Sequence, residues 1–132
     1  MTHRKLLVVE DDDKVRGLLV EYFTQHAIDV DGARDGAEAL HQLSGKAYAV
    51  IVLDLIMPHM SGIDFLRSLE ALSSDPSVKQ LEHTPAVLVI TSAPQDDVPS
   101  RDIENRFPSI VRGVLRKPLD IPVLAGRVEA LL

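Results

Sequence analysis

Short apolar runs alternate along this chain with longer stretches in which apolar residues recur at every third or fourth position. The runs have the length of strands, and the strongest are nearly continuous in Val, Ile and Leu, which is typical of strands buried on both faces of a parallel sheet. We therefore predict five strands, with a weaker signal for the second: residues 6–9, 28–30, 47–53, 86–90 and 111–115.

The stretches between these runs predict helices. In the first, one apolar stripe at positions i, i+3, i+4, i+7 and i+8 is expected to pack on the sheet: Val15, Leu18, Leu19, Tyr22 and Phe23. Three further stripes have similar spacing: Ala37, Leu40 and Leu43; Phe65, Leu66, Leu69 and Leu72; and Ile121, Leu124, Val128, Leu131 and Leu132. Pro94, Pro99 and Pro108 interrupt the segment before the fifth strand, so a helix there should be short or irregular.

Strand and helix alternate through the whole chain. This order implies parallel strands joined by right-handed crossovers, and hence a three-layer α/β sandwich of the doubly wound kind. Such folds bind ligands outside the carboxyl ends of their strands. The residues that directly follow the strong runs are therefore the candidates for a site, and we expect them to lie together: Glu10, Asp11, Asp54, Thr91 and Lys117.

Three of these candidates are carboxylates. In a shared pocket they would raise one another's pKa unless a cation held them, and a ligand set of oxygen atoms alone indicates Mg²⁺. Because Mg²⁺ typically takes one or two carboxylates and keeps several waters, an oxygen of Asp54 remains free to attack phosphorus. Lys117 and the cation would neutralise the charge on a transferring phosphoryl group, and the Thr91 hydroxyl would donate to one of its oxygens. The pattern predicts a phosphorylation switch with Asp54 as the acceptor.

Each of these residues also has an interpretation without chemistry. The acidic run would suit the positive end of the first helix dipole, with Asp12 or Asp13 as the cap. Asp54 alone would be a loop carboxylate, Thr91 a strand-end hydroxyl and Lys117 a solvated cation. Independent surface residues have no reason to meet at four strand ends, and this coincidence favours the functional interpretation.

Composition and charge narrow the class of protein. With 132 residues, 45% of them apolar and 26% charged, the chain has the size and make-up of one soluble globular domain. The formal net charge of -6 disfavours direct binding to nucleic acid, which depends on Lys and Arg. No apolar run reaches the roughly 18 residues that a membrane span needs, the first residues lack the apolar stretch of a signal peptide, and cysteine is absent. We therefore expect a cytoplasmic location with no membrane contact.

Several segments together resemble the receiver domain of two-component response regulators. The segment 6–12, Leu-Leu-Val-Val-Glu-Asp-Asp, is similar to the first strand and acidic pair of that family, and 33–40 is similar to the start of its second helix. The segment 53–62, Leu-Asp-Leu-Ile-Met-Pro-His-Met-Ser-Gly, has the acceptor aspartate, the Met-Pro pair and the closing glycine at the family's spacing. The resemblance covers nearly the whole chain and implies one receiver domain, residues 1–132, with a flavodoxin-like fold and a five-stranded parallel sheet of order 2-1-3-4-5.

The resemblance also implies roles for individual residues. Asp54 would accept the phosphoryl group, and Glu10 and Asp11 would hold Mg²⁺ directly or through water, together with Asp54 and the backbone carbonyl of Ile56. Thr91 would move toward the phosphoryl group, and the Lys117–Pro118 peptide bond is commonly cis in the family.

Partners and activity follow from the same resemblance. The donor would be a phosphohistidine on a sensor histidine kinase or a histidine phosphotransfer protein. The phosphorylated form would present an altered face near the fourth helix and fifth strand to a downstream effector domain or protein. The domain would catalyse only its own phosphorylation and dephosphorylation, so it is not expected to be an enzyme for another substrate.

Some positions depart from the family pattern. Val114 stands where the family often has Tyr or Phe, so activation should be transmitted differently, and the apolar Ile56 and Ala93 near the acceptor predict slow loss of phosphate. Two other functions remain as alternatives. One is a phosphate-independent docking module that uses the region 94–116. The other is an aspartyl phosphatase, which would generally need a carboxylate at position 56.

Overall fold

The computed structural model describes residues 5–57, 60–74, 84–92 and 100–132, with the side chains of residues 100 and 101 excepted. Strand and helix alternate within these ranges, and the bounds of the ten elements are β1 Lys5–Val9, α1 Asp13–Gln25, β2 Asp29–Ala33, α2 Gly36–Leu43, β3 Val50–Asp54, α3 Gly62–Ser74, β4 Ala86–Thr91, α4 Ser100–Arg106, β5 Val111–Arg116 and α5 Ile121–Leu131. None of the helices within the described ranges is long and apolar enough to cross a membrane.

The five strands form one parallel sheet of order β2-β1-β3-β4-β5, which confirms the predicted fold and strand order. The register aligns the carboxyl ends of the strands. Val9 pairs with both Ala33 and Leu53. Asp54 pairs with Ile90, and Thr91 pairs with Arg116. Residues that follow these pairs therefore emerge at one edge of the sheet, where doubly wound folds bind their ligands.

Alternate residues of the strands enter two apolar clusters, one on each face of the sheet. One cluster joins the sheet to α2, α3 and α4 and includes Phe65, which is fully buried. The other joins the sheet to α1 and α5 and includes Phe23, also fully buried. Burial of each phenylalanine side chain stabilises the fold by roughly 2 to 3 kcal/mol. The near-continuous apolar runs are explained by this double coverage.

Three aspartates begin helices by capping them. The side chain of Asp12 accepts hydrogen bonds from the backbone N–H groups of Lys14 and Val15, which starts α1. Asp35 caps α2 and Asp120 caps α5 in the same way. Each cap satisfies backbone donors that have no partner inside the helix and contributes about 1 kcal/mol. Of the two predicted caps for the first helix, Asp12 is the cap.

The second strand is longer than predicted, and the third begins later. β2 extends to Ala33 because all five of its residues pair with β1. Its weak signal in the sequence comes from Asp29 and Asp31, polar residues that an edge strand tolerates because one side is solvated. β3 starts at Val50, three residues after the predicted start. Just before it, the Tyr48 hydroxyl donates to the Asp31 carboxylate across 2.7 Å.

The apolar stripe of α1 is narrower than predicted. Leu19 and Phe23 are buried against the sheet, but Leu18 is 59% exposed, so its predicted contact with the sheet is wrong. The helix contacts the sheet through one line of residues, so a residue at the edge of the apolar stripe stays exposed to solvent. The predicted short helix before β5 is confirmed, since α4 has seven residues. Ala93, Pro94 and Pro99 lie outside the described residues.

Candidate functional site

Four of the predicted site residues converge at the carboxyl edge of the sheet. Glu10 follows β1, Asp54 ends β3, Thr91 ends β4 and Lys117 follows β5. The Lys117 Nζ lies 3.1 Å from Glu10 Oε2 and 3.5 Å from Asp54 Oδ2. The fifth predicted residue, Asp11, completes an acidic cluster: Glu10, Asp11 and Asp54 each offer a carboxylate oxygen, and these oxygens lie within 4.8 Å of one another.

The Glu10 carboxylate is fully buried and incompletely satisfied. Its Oε1 accepts a hydrogen bond from the Asp12 N–H across 3.2 Å. Its Oε2 pairs with the Lys117 ammonium 3.1 Å away and has no further donor among the described residues. Lys117 also faces Asp54, so a second cation would stabilise these buried carboxylates further. The cluster therefore fits a bound cation, with Asp11 on its exposed side.

Asp54 is 3% exposed and lies in a strongly negative environment. Burial, followed by the neighbouring Glu10 carboxylate, raises the pKa of Asp54 from 3.8 to about 7. The Ile56 N–H, 3.2 Å from Asp54 Oδ1, and the Lys117 ammonium oppose this rise without cancelling it. Burial alone would lower the pKa of Lys117, but the carboxylates of Glu10 and Asp54 raise it, so Lys117 is held as a cation. Three carboxylates facing one ammonium leave an excess of negative charge at the site.

The loop after Asp54 is held by a close backbone approach at Gly62. The Gly62 N–H donates to the Leu55 carbonyl across 2.8 Å. A Cβ at position 62 would lie 2.7 Å from the Leu55 Cα and 2.9 Å from the Asp54 carbonyl oxygen, so only glycine fits there. The closing glycine of the sequence motif thus lets α3 begin against the backbone that carries the acceptor.

Gly36, at the start of α2, has a similar role that sequence reasoning missed. A Cβ there would lie 2.7 Å from the sulfur of Met60, which follows the acceptor loop. The glycine in the segment 33–40 therefore makes room for Met60.

Ile56 follows Asp54 by two positions, and its side chain is 55% exposed beside the acceptor.

Thr91 is fully buried at the end of β4, and its carbonyl accepts a hydrogen bond from the Lys117 N–H across 2.9 Å. This hydrogen bond joins the backbones of Thr91 and Lys117 at the end of the β4–β5 pair. The Lys117–Pro118 peptide bond is cis, as the resemblance implied. Val114 is partly buried and packs against the apolar cluster beneath α2, α3 and α4. Val114 stands at the position where the family often has Tyr or Phe.

An apolar groove of about 270 Å³ lies between α1 and the segment that leads into α5. Lys117 forms part of its wall, so the groove adjoins the acidic site. The exposed Leu18 lies on it. Its lining residues are Val15, Leu18, Leu19, Lys117, Pro118, Leu119 and Ile121.

The fold and site define a doubly wound α/β domain with an acidic cation pocket, a buried aspartate and a lysine at one edge of its sheet. Such a constellation is typical of phosphoryl transfer to a carboxylate. The sequence model of the response regulator receiver domain matches residues 6–129. The chain belongs to the response regulator receiver domain family, which confirms the resemblance.

Two bacterial regulators show the extent of the match. The chain is 28% identical over 128 residues to the regulatory protein VanRB of Enterococcus faecalis, a match that covers 97% of this chain and 52% of that protein. It is 29% identical over 117 residues to the regulatory protein VirG of Agrobacterium tumefaciens, covering 86% of this chain and 44% of that protein. The chain thus spans about half the length of these relatives.

Solved structures share the fold over nearly the whole chain. The receiver domain of the Francisella response regulator 1452 is 29% identical, with a TM-score of 0.75 and coverage of 97% of this chain and 95% of that one. The chemotaxis protein CheY4 of Vibrio cholerae is 25% identical, with a TM-score of 0.79 and coverage of 99% and 100%. TrrA of Thermotoga maritima, solved in complex with Mg²⁺ and BeF, is 22% identical with a TM-score of 0.76, covers 98% of this chain and 99% of that one, and supports the fold alone.

Proposed function

We propose that this domain is a phosphoacceptor switch in which Asp54 takes a phosphoryl group from a phosphohistidine in a reaction that requires Mg²⁺. The observation that carries the proposal is the meeting of three carboxylate oxygens within 4.8 Å beside the Lys117 ammonium. A structural role alone would not require so much uncompensated negative charge at one edge of the sheet.

Mg²⁺ fits the donor set. Glu10, Asp11 and Asp54 provide oxygen atoms only, which Mg²⁺ prefers, and the backbone carbonyl of Ile56 is the proposed fourth protein ligand. When bound, the ion supplies positive charge that lowers the repulsion between Asp54 and the incoming phosphoryl group. TrrA of Thermotoga maritima, which shares this fold, was itself solved in complex with Mg²⁺ and BeF.

In the proposed step, an oxygen of the Asp54 carboxylate forms a bond to phosphorus while the P–N bond to the donor imidazole breaks. The imidazole nitrogen leaves with the electron pair of that bond and takes up a proton. This step needs Asp54 in its ionised form, which the Lys117 ammonium 3.5 Å away favours. After transfer, Lys117 neutralises charge on the phosphoryl oxygens, and the hydroxyl of Thr91 donates to one of them.

The partners follow from this chemistry. The donor is a sensor histidine kinase or a histidine phosphotransfer protein, because a phosphohistidine is the donor class that receivers of this family use. The recipient of the signal is an effector domain or protein that distinguishes the phosphorylated face near α4 and β5. The site is built to modify its own Asp54, so we do not expect turnover of another substrate.

The first test is phosphorylation by a small donor. Wild-type protein incubated with acetyl phosphate and Mg²⁺ should gain one phosphoryl group in its intact mass. Asp54→Asn should gain none, because an amide cannot attack phosphorus, and EDTA should abolish the wild-type adduct. Asp64→Asn is the matched control, since Asp64 lies on the exposed surface of α3 and should leave the adduct unchanged.

A wild-type protein that gains no adduct from acetyl phosphate or from a phosphohistidine donor would contradict the proposal. The phosphate-independent docking module would then lead. The aspartyl phosphatase is the weaker alternative, because position 56 carries Ile where that chemistry generally needs a carboxylate.

A further inference from the structure

Arg16 connects the first turn of α1 to the backbone of the acidic loop. Its Nη1 donates to the carbonyl oxygen of Glu10 across 2.8 Å. Its Nη2 pairs with the carboxylate of Asp13. The Arg16 side chain is only 19% exposed, so its bond to the Glu10 carbonyl is partly shielded from water, whereas the Asp13 carboxylate is exposed. A hydrogen bond from a charged donor in such a place is stronger than one between neutral groups at the surface.

Gly32 of β2 provides the surface on which the stem of Arg16 lies. A Cβ at position 32 would approach the Cδ of Arg16 to 3.2 Å and the Cγ to 3.3 Å. A larger side chain on this strand would therefore push the stem away from its present path. The missing side chain at Gly32 lets the guanidinium reach the Glu10 carbonyl.

The loop between β1 and α1 carries two of the three carboxylates and needs this support. The Glu10 N–H donates to the Ala33 carbonyl across 3.0 Å, and Arg16 binds the Glu10 carbonyl, so both backbone groups of Glu10 are fixed. The Asp11 side chain has no hydrogen bond or ion pair within the described part of the chain. Its direction is therefore set by the backbone on either side of it.

We propose that Arg16 is a positioning residue, which holds the backbone of Glu10 so that the carboxylates of Glu10 and Asp11 face a common Mg²⁺. This inference rests on the proposed function and adds a residue to it. Arg16 would not touch the ion. Groups that orient metal ligands without binding the metal commonly change its affinity by about 10- to 100-fold when they are removed.

The test compares Mg²⁺ affinity in folded proteins. Arg16→Met keeps an apolar stem over Gly32 but removes both donors, and it should raise the Mg²⁺ dissociation constant about tenfold or more, measured from amide shifts in an NMR titration. Arg16→Lys keeps a cationic donor and should recover part of the affinity. Arg34→Met is the matched control. Arg34 is an exposed arginine that pairs with Glu38 of α2, and the variant should bind Mg²⁺ as the wild type does.

A merely structural role for Arg16 predicts a different result. It would lower the melting temperature in EDTA yet leave the Mg²⁺ dissociation constant of the folded protein within twofold of wild type, and that result would overturn the inference. If Arg16→Met does not fold, Gly32→Val replaces it. Displacement of the Arg16 stem should weaken Mg²⁺ binding, and an unchanged constant would count against the inference. A wild-type protein that binds no Mg²⁺ would remove both the proposed function and this inference, whereas equal affinity in wild type and variants would remove only the latter.

Discussion

The ionisation of Asp54 links the acceptor residue to the stability of the protein. Without metal, the pKa of this carboxyl is about 7 in the folded protein against 3.8 for the ordinary group, so the folded state binds the proton more tightly. The protonated carboxyl therefore contributes fully to the stability of the protein below pH about 4. This contribution, on the order of 2 to 4 kcal/mol, is lost as pH rises through about 7. We expect the free energy of unfolding in EDTA to fall over this interval, as measured by urea denaturation.

Asp54→Asn serves as the control for this pH dependence. The substitution removes the titrating group, so the stability of the variant should fall less across the same pH interval. In the wild type, Mg²⁺ should stabilise the protein more at pH 8 than at pH 5. If the free energy of unfolding depends on pH in the same way in wild type and Asp54→Asn, burial does not raise the pKa of this carboxyl.

We expect Ile56 to lengthen the lifetime of the proposed phosphorylated form. Its exposed aliphatic side chain lies two residues after Asp54 and offers no group that could orient an attacking water. Ile56→Asn should therefore shorten the half-life of phosphorylated Asp54 severalfold, followed by intact mass after acetyl phosphate is removed. Val123→Asn is a control of similar exposure, because Val123 is 51% exposed on α5 and is not among the residues of the acidic site. An equal or longer half-life for Ile56→Asn would refute the prediction of slow phosphate loss.

At the scale of elements, the junction of β3 and α3 depends on Gly62. Ala at this position would place its Cβ 2.7 Å from the Leu55 Cα, and backbone atoms must shift to relieve the contact. We expect Gly62→Ala to lower the free energy of unfolding by about 1 to 3 kcal/mol and to slow phosphorylation by acetyl phosphate, because Leu55 directly follows the acceptor.

The comparison variant is Gly126→Ala in α5, where an added Cβ meets open space. Because alanine is the better helix former, this variant should gain about 0.5 to 1 kcal/mol and phosphorylate normally. Equal urea midpoints for the two variants would show that the approach at Gly62 is not tight in solution.

Across the whole molecule, the proposed switch should act through β4 and β5. Thr91 pairs with Arg116, and its carbonyl binds the Lys117 N–H, so a movement of Thr91 toward a phosphoryl group is passed to β5. α4 has only seven residues and rests on β5 near Ile103 and Phe107, which gives it little stability of its own.

We therefore expect Mg²⁺ and beryllofluoride, a mimic of the acyl phosphate, to shift amide signals of residues 100–116 in NMR spectra. The amide signals of β2 should shift little, because β2 contacts the acidic loop only at its end. The same additions to Asp54→Asn control for binding elsewhere. Shifts confined to the residues around the acidic cluster would argue against a change of the α4 and β5 face.

The class of fold and most of the candidate site could be predicted from the sequence for a physical reason. Strands buried on both faces must be apolar along their length, so they stand out as runs, and parallel strands bring their carboxyl ends to one edge. The residues after the runs were therefore candidates before any distance was known. Glu10, Asp54 and Lys117 meet as that argument predicts.

Tertiary structure alone decided the contacts between segments that are distant in sequence. The exposure of Leu18 depends on how closely α1 lies on the sheet, and the full length of β2 depends on its pairing with β1. The hydrogen bond from Arg16 of α1 to the Glu10 carbonyl depends on the space left by the missing side chain of Gly32 on β2. A periodic pattern reports only which face of an element is buried, whereas these contacts are fixed by the separation and angle of elements after they pack.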